Sequence, residues 1–415
     1  MNAFRTSAAI VAPAVQKSEQ FAGEQHLLQN YARAPVTLVR GEGCELIDSE
    51  GTRYLDLVAG LAVCALGHAH PAITEAVTKQ AGTLVHASNL YYFEPSGTLA
   101  DELARRSGFE RVFFCNSGSE ANEAAIKLAR KLAYRRGETQ RRTILSCEGS
   151  FHGRTMGALA ATANEHYHEG FEPLPGGFRY TPFNDIAALE RALDDTVAAF
   201  IVEPVQGESG VFPADPAFLE AARELCTQRG ALLLFDEIQC GVGRLGSLFA
   251  FQSFGVRPDV VTMAKALANG LPIGAVLIES AAARALQPGD HGSTFGGSPV
   301  PCAAALAHLA VRDSFDIDAH VKARGAQLRE GLGALANRFP KLFGPVRGAG
   351  LMLGLPLNDP YIAKSFADAA RTTERLLVNA AGNNTLRFVP PLLIDEAQIS
   401  DALVRLERVT ARIAV

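Results

Sequence analysis

The sequence has no CxxC pair, no block of basic charge, no internal repeat and no low-complexity tract. It also has no apolar run approaching the roughly 20 residues that span a bilayer. Each absence removes a class of function. The seven cysteines are scattered and odd in number, which leaves neither a disulfide framework nor a zinc-type spacing. Reduced thiols and a cytoplasmic location are the expectation. A formal net charge of −5 offers no footprint for nucleic acid or an anionic membrane, and neither is expected as a partner. The segment Ala8–Val15 is apolar but short, is broken by Pro13, and lacks the layout of a signal peptide.

What is present is an ordinary globular composition, 48% hydrophobic and 20% charged. At 415 residues the chain exceeds one small core, so a large domain with a smaller companion is expected. Residues 1–35 read as a loosely structured arm. Val36–Val39, Cys44–Asp48 and Arg53–Leu57 read as a short antiparallel unit with a turn at Ser49–Gly51. From Pro71 to Ala310 helical patterns alternate with short apolar strands at 111–115, 143–146, 198–202, 231–235, 260–263 and 274–278. Helices at 120–135, 216–229 and 299–312 lie between them. Such alternation predicts an α/β domain on a mostly parallel sheet, with ligands outside the carboxyl ends of the strands. After Arg312 the pattern turns to α+β. Helices are predicted at 318–338, 361–377 and 395–413, and strands at 351–355 and 385–389.

Lys265 is the one ionisable side chain between Val260 and Ile278. Desolvation lowers a lysine's pKa and makes its amine a nucleophile able to form a Schiff base with a carbonyl. The plainer alternative is a lysine that snorkels its head to water. Asn116-Ser117-Gly118-Ser119 ends one strand and opens a helix, where free backbone N–H groups suit a phosphate. Ser117-x-x-Glu120 also reads as simple capping. Phe151-His152-Gly153-Arg154 groups an aromatic face, an imidazole and a guanidinium suited to a carboxylate. Asp236 ends a buried apolar strand, a costly place for a carboxylate unless it meets a cation.

Two features are decoys. Gly241-Val-Gly-Arg-Leu-Gly246 fits GxGxxG, but it does not directly follow its strand, and the next strand runs into a lysine and not an acid. A dinucleotide site is therefore not expected. His68 and His70, like His166 and His168, stand two apart without a third ligand nearby. A helix starting with Pro71 in its first turn, and no metal, is the expectation.

Pyridoxal 5'-phosphate would use all the remaining features, with Lys265 on its aldehyde, Asp236 on the ring nitrogen, Phe151 on the ring face and Gly118–Ser119 on the phosphate. The chain resembles the class III pyridoxal-phosphate aminotransferases of fold type I. The resemblance runs from about Ala34 to Ile394 and is carried by Asn116–Asn122, Phe151–Arg154, Glu203–Glu208, Leu234–Gln239, Ala264–Gly270 and Gly292–Gly297. It implies a large domain at 71–312, a small domain at 313–415, and an arm with part of the small domain at 1–70.

The resemblance also implies roles by position. Lys265 is the catalytic lysine. Ser117, Gly118, Ser119, Phe151, His152, Asp236 and Gln239 contact the cofactor, with Gln239 facing the phenolic oxygen. Thr294 reaches the phosphate of the other subunit, so a homodimer with shared sites is implied. Arg154, Arg387, Glu208 and Ser293 fall to the substrate. Glu208 pairs with Arg387 while the terminal amine reacts, and releases it for 2-oxoglutarate.

Ser88–Tyr92 and Gly170–Pro173 are similar to the branch of the class that acts on N-acylated ornithine. The implied reaction moves the terminal amino group of N-acetylornithine to 2-oxoglutarate, giving glutamate, as in arginine biosynthesis. Two positions depart from the pattern. Ser209 replaces a usual glycine beside the Glu208 switch. Leu61 replaces a tyrosine found in ornithine aminotransferases, which favours an acylated α-nitrogen. Other class members acting on ornithine, succinylornithine, N-succinyl-diaminopimelate or 4-aminobutyrate are the near alternatives. An aminomutase or decarboxylase, a regulatory module and a dehydrogenase are the distant ones.

Overall fold

The computed structural model describes residues 23–414. Most of the arm, including Ala8–Val15, lies outside that range. From Gly23 to Ala34 the chain holds one short 3-10 turn, Glu24–His26, and is exposed.

The second and third strands form near their expected places, and the first, expected at Val36–Val39, runs from Leu38 to Glu42. β1 (Leu38–Glu42), β2 (Glu45–Asp48) and β3 (Arg53–Asp56) pair antiparallel. The turn between β2 and β3 is held by Asp48 Oδ1, which accepts the N–H groups of Glu50 at 3.0 Å and Thr52 at 2.8 Å.

The central sheet takes β4 (Arg111–Cys115), β5 (Thr143–Cys147), β6 (Phe178–Thr181), β7 (Val197–Val202), β10 (Leu232–Asp236), β11 (Val260–Met263) and β12 (Gly274–Ile278). Its order is β4-β12-β11-β10-β7-β5-β6. β10 is parallel to β7 and β11, and β5 to β6 and β7; β12 alone runs against its neighbours. Every residue of β7, β10, β11 and β12 is buried, as the near-continuous Val/Ile/Leu/Ala/Phe runs require of strands covered on both faces. The hairpin of β8 (Val205–Gln206) and β9 (Phe212–Pro213) follows β7.

β4 and β5 are successive along the sheet-forming path yet stand on opposite sides of β11, β10 and β7. The segments leaving the carboxyl ends of β4, β5, β7, β10 and β11 therefore share one edge, the usual place for a ligand in such a sheet.

The last third builds a second sheet of β13 (Arg347–Ala349), β14 (Met352–Pro356), β16 (Asn379–Ala381) and β17 (Thr385–Phe388), all antiparallel, in the order β13-β14-β17-β16. The helices Ile317–Arg338, Ala363–Glu374 and Glu396–Ile413 accompany it. The helix expected to reach residue 377 stops at Glu374, because Arg375 adopts a left-handed φ of 52°. Leu376–Leu377 then form β15, which pairs in parallel with β3 and joins the beginning of the chain to its last third.

β6, β13 and β16 escaped sequence reading. Each is only three or four residues long and partly exposed, so each carries too few apolar positions to show a period. Among the described residues no helix is long and apolar enough to cross a membrane, and no His/Cys/Asp/Glu group is placed to hold a metal ion.

Candidate active site

A cavity of about 300 Å³ opens at the shared strand edge. Asn116, Ser117, Gly118, Ser119, Phe151, His152, Glu203, Asp236, Ile238, Gln239 and Lys265 line it.

The phosphate end is a helix N-terminus. The helix Gly118–Arg135 starts directly after β4, and Ser117 caps it by accepting the Glu120 N–H at 3.2 Å. Glu120 reaches back past Ser117 to the N–H of Asn116 at 2.5 Å. The capping reading is observed, and it leaves the first N–H groups of the helix without an intrahelical carbonyl. Gly118 and Ser119 carry those groups at the cavity wall. A Cβ at Gly118 would sit 2.8 Å from Ile238, so only glycine lets the helix start this close to the β10 exit.

The far end is Asp236, 3% exposed. Its Oδ2 accepts Asn122 Nδ2 at 2.7 Å and meets His152 Nδ1 at 2.8 Å, and its Oδ1 accepts the Ile238 N–H at 3.1 Å. Asn122 is itself buried, accepts Thr262 Oγ1 at 2.8 Å, and donates to the carbonyl of His152 at 2.7 Å. This network fixes the carboxylate and pairs both of its oxygens inside the fold. Asn122 sits in a quoted motif, yet its role escaped sequence reasoning; a buried amide four residues into an amphipathic helix was the available signal.

Lys265 follows β11 by two residues and begins a 3-10 turn, Lys265–Ala268, with a left-handed φ of 40°. Its amine faces the cavity. Burial lowers its pKa and Arg387 lowers it further, against the pull of Glu208, Asp236 and Glu203. The snorkelling alternative is disfavoured: the half-buried side chain lines the cavity, and burial is the first cause of its lowered pKa.

Glu203 leaves β7 at the cavity wall. Its Oε1 accepts the Phe151 N–H at 2.9 Å, and its Oε2 that of Gly207 at 3.4 Å. Burial, and then the charge of Asp236, push its pKa well above the ordinary range. Glu237, the next acid after Asp236, has turned away from the site. It accepts the N–H groups of Ala250 and Phe251 at 2.5 and 2.7 Å and starts the helix Ala250–Phe254.

Arg387 on β17 is 1% exposed. Its Nη1 meets Glu208 Oε1 at 2.6 Å and Gln239 Oε1 at 3.0 Å, and Gln239 Nε2 donates to Glu208 at 3.3 Å. Burial alone would raise Glu208, but Arg387 outweighs it and holds the carboxyl below its ordinary pKa. Ser209, the departure beside this pair, bonds Gln206 Oε1 at 3.1 Å and touches neither partner's charge.

Three expected residues stand apart. Arg154 is exposed, with its guanidinium 3.8 Å above the Tyr167 ring and 5.5 Å from that of Phe151. Ser293 and Thr294 line a separate cavity with Glu120 and His291, sharing only Asn116 with the first. Ser293 Oγ accepts Asn116 Nδ2 at 3.1 Å.

The glycine stretch and the paired histidines take the following places in the fold. Gly243 and Gly246 are left-handed turn residues in a loop, and the intervening Arg244 is buried against the carbonyls of Leu351 and Pro390 at 3.2 and 2.5 Å. His68 pairs with Asp56 at 2.8 Å, and His70 precedes the helix Pro71–Ala81.

The residues present fit pyridoxal phosphate. One desolvated amine, the buried Asp236, a helix N-terminus, and the side chains of Phe151 and Ile238 line one cavity. A Cβ at Gly118 would collide with Ile238 on its wall.

Comparison with known proteins agrees. The model of the family "Aminotransferase class-III" matches residues 28–410. The acetylornithine aminotransferase of Gloeobacter violaceus is 48% identical over 95% of this chain and 98% of its own. That of Xylella fastidiosa is 50% identical over 92% of this chain and 94% of its own. The crystal structure of N-acetylornithine aminotransferase from Stenotrophomonas maltophilia superposes with a TM-score of 0.82 at 41% identity, covering 95% of this chain and 99% of that one. The ornithine aminotransferase of Toxoplasma gondii reaches 0.91 at 34% identity, covering 95% and 94%. With its Lys265 and Asp236 facing one cavity and this match across nearly its whole length, the chain belongs to the class III aminotransferases, enzymes that work with pyridoxal phosphate.

Proposed function

We propose that this enzyme moves the terminal amino group of N-acetylornithine to 2-oxoglutarate, and that it works as a cytoplasmic homodimer. The observation that carries the reading is the closed Glu208–Arg387 pair beside Lys265. While Glu208 neutralises Arg387, the wall facing Lys265 offers no free cation, and an ω-amine can enter without a carboxylate next to it. When Glu208 swings away, Arg387 is released for the α-carboxylate of 2-oxoglutarate, which it can grip through a planar fork. Arg154, exposed and with its guanidinium stacked on the Tyr167 ring beside Phe151, would turn to take the other carboxylate.

Pyridoxal phosphate, when bound, supplies the reactive carbonyl and a ring that accepts electrons from the carbon bearing the amine. The chain does the rest. Lys265 Nζ holds the carbonyl, and its lowered pKa keeps a neutral amine available to take a proton from the donor's ω-carbon and deliver it again. Asp236, fixed by Asn122 and His152, presents its carboxyl group to the ring nitrogen. The Gly118 and Ser119 N–H groups receive the phosphate. Gln239 still has one amide proton for the phenolic oxygen after serving Glu208.

The dimer reading rests on the surface. Leu90, Tyr91 and Tyr92 are 84%, 70% and 106% exposed, and Phe295 is 61% exposed. Asn89 ties this segment to the loop of Thr294 through the carbonyls of Ser293 and Gly296, at 3.0 and 2.8 Å. An apolar patch of this kind, next to a Thr294 outside its own chain's cavity, suits a second copy whose phosphate site it completes. Within each copy we divide the chain at residues 70 and 312, with the pairing of β15 and β3 joining the first and last parts.

Leu61, in place of a tyrosine of ornithine aminotransferases, favours an acylated donor. A free α-ammonium near it finds no polar partner, and an acylated nitrogen needs none. kcat/KM for N-acetylornithine is expected to exceed that for ornithine by at least ~10-fold, the cost of leaving a charged group unpaired. Equal values, or a preference for ornithine, 4-aminobutyrate or a succinylated donor, would overturn the substrate assignment and leave the aminotransferase class untouched.

A further inference from the structure

Lys265 sits in a conformation that its own residue type disfavours. Its φ of 40° and that of Asn269, 49°, are left-handed, and they bracket a single 3-10 turn. A non-glycine residue persists there only where its surroundings hold it. One side chain from a distant helix and one at the end of the turn itself hold it.

His308 is fully buried on the helix Pro299–Ser314, and its Nδ1 lies 2.9 Å from the carbonyl of Ala266, the residue after Lys265. A carbonyl only accepts, so the imidazole proton is on Nδ1; Nε2 has no partner. Burial, followed by the charge of Arg312, pushes His308 down to about 4, so the ring is a neutral donor at working pH.

Asn269 closes the turn from the other side. Its Oδ1 accepts the Leu66 N–H at 2.7 Å, and its Nδ2 donates to the carbonyl of Gly67 at 3.0 Å. The same Ala266 carbonyl also receives the Asn269 N–H at 3.2 Å, so both grips meet at one atom.

We propose that His308 and Asn269 are positioning residues that hold the Lys265 turn in its left-handed form and so aim the amine into the cavity. Neither touches the cavity; both act through the backbone beside the lysine. The inference rests on the reading of Lys265 as the cofactor-binding lysine.

The test follows capture of pyridoxal phosphate by apoenzyme, by stopped-flow absorbance, with borohydride reduction and peptide mapping to identify the labelled lysine. His308→Leu is expected to slow capture and lower kcat by about tenfold, the worth of one hydrogen bond, while KM for the donor stays near its original value. His308→Asn, whose amide N–H can reach the same carbonyl, is expected to restore both. Asn269→Gly tolerates the left-handed φ but drops both ties, and is expected to slow capture as well.

Wild-type capture rates in His308→Leu and Asn269→Gly would overturn the proposal, as would a His308→Asn variant as slow as leucine. If His308→Leu does not fold, Asn269→Gly decides alone. A label on a lysine other than Lys265 in the unaltered enzyme would instead overturn the assignment of Lys265, which separates the two failures.

Discussion

Lys265→Ala is expected to lower turnover by at least ~10⁴-fold, the upper range for a positioned acid or base. Its amine stands at the cavity with a pKa depressed first by burial, and no other lysine lines that cavity. The same change is expected to leave thermal stability equal or slightly raised, because it removes an amine that the fold holds against its desolvation cost. The two readouts move apart, which a general folding defect cannot imitate. Steady-state rates with N-acetylornithine and 2-oxoglutarate, paired with a thermal melt, check both. Retention of more than a few per cent of activity would remove Lys265 from the chemistry.

Asp236→Asn is expected to reduce turnover by ~10²–10³-fold, the scale of breaking a buried charged pair. The substitution keeps an oxygen for Asn122 Nδ2 and His152 Nδ1, the groups that meet the Asp236 carboxylate at 2.7 and 2.8 Å, so most of the fold's own contacts survive. What is lost is the negative charge offered to the ring nitrogen, and cofactor affinity should fall with it. Asp236→Ala makes the contrast. It strands both donors inside the protein and adds a stability loss of about 1–3 kcal/mol per unpaired group. A fully active Asp236→Asn enzyme would mean that the carboxylate serves the fold and not the cofactor. Equilibrium binding of pyridoxal phosphate and kcat, measured on both variants, distinguish these outcomes.

The strands that position the site were legible because they are buried on both faces. Val197–Val202, Leu232–Asp236 and Val260–Met263 are continuous apolar runs, and polarity returns where each ends. Asp236 and Lys265 stood out for that reason, whereas Glu203 was named only as the start of a family stretch. The antiparallel insertion of β12 between β4 and β11 left no mark, because a fully buried antiparallel strand has the same composition as a parallel one.

Side chains that act through others were hidden. His308 reads as one polar residue in an alanine-rich helix, and Asn269 as turn punctuation before Gly270. The link between Leu66 and Asn269 spans 203 positions, beyond any local pattern. Arg154 was found as a motif member, but its present partner, the Tyr167 ring, belongs to a short helix, Glu165–His168, whose few residues carry no period. Thr294 lines a separate cavity, and its expected role at a partner's phosphate site is one that a single chain cannot display.

The most direct measurement is the absorbance spectrum of the pyridoxal-phosphate-loaded enzyme, taken before and after N-acetylornithine is added without an acceptor, and again after 2-oxoglutarate. The account predicts a yellow protein that loses its colour with the donor and regains it with the acceptor, one equivalent of glutamate appearing per site. A yellow protein unmoved by N-acetylornithine would contradict the proposed donor, and a protein that takes up no pyridoxal phosphate would contradict the site itself.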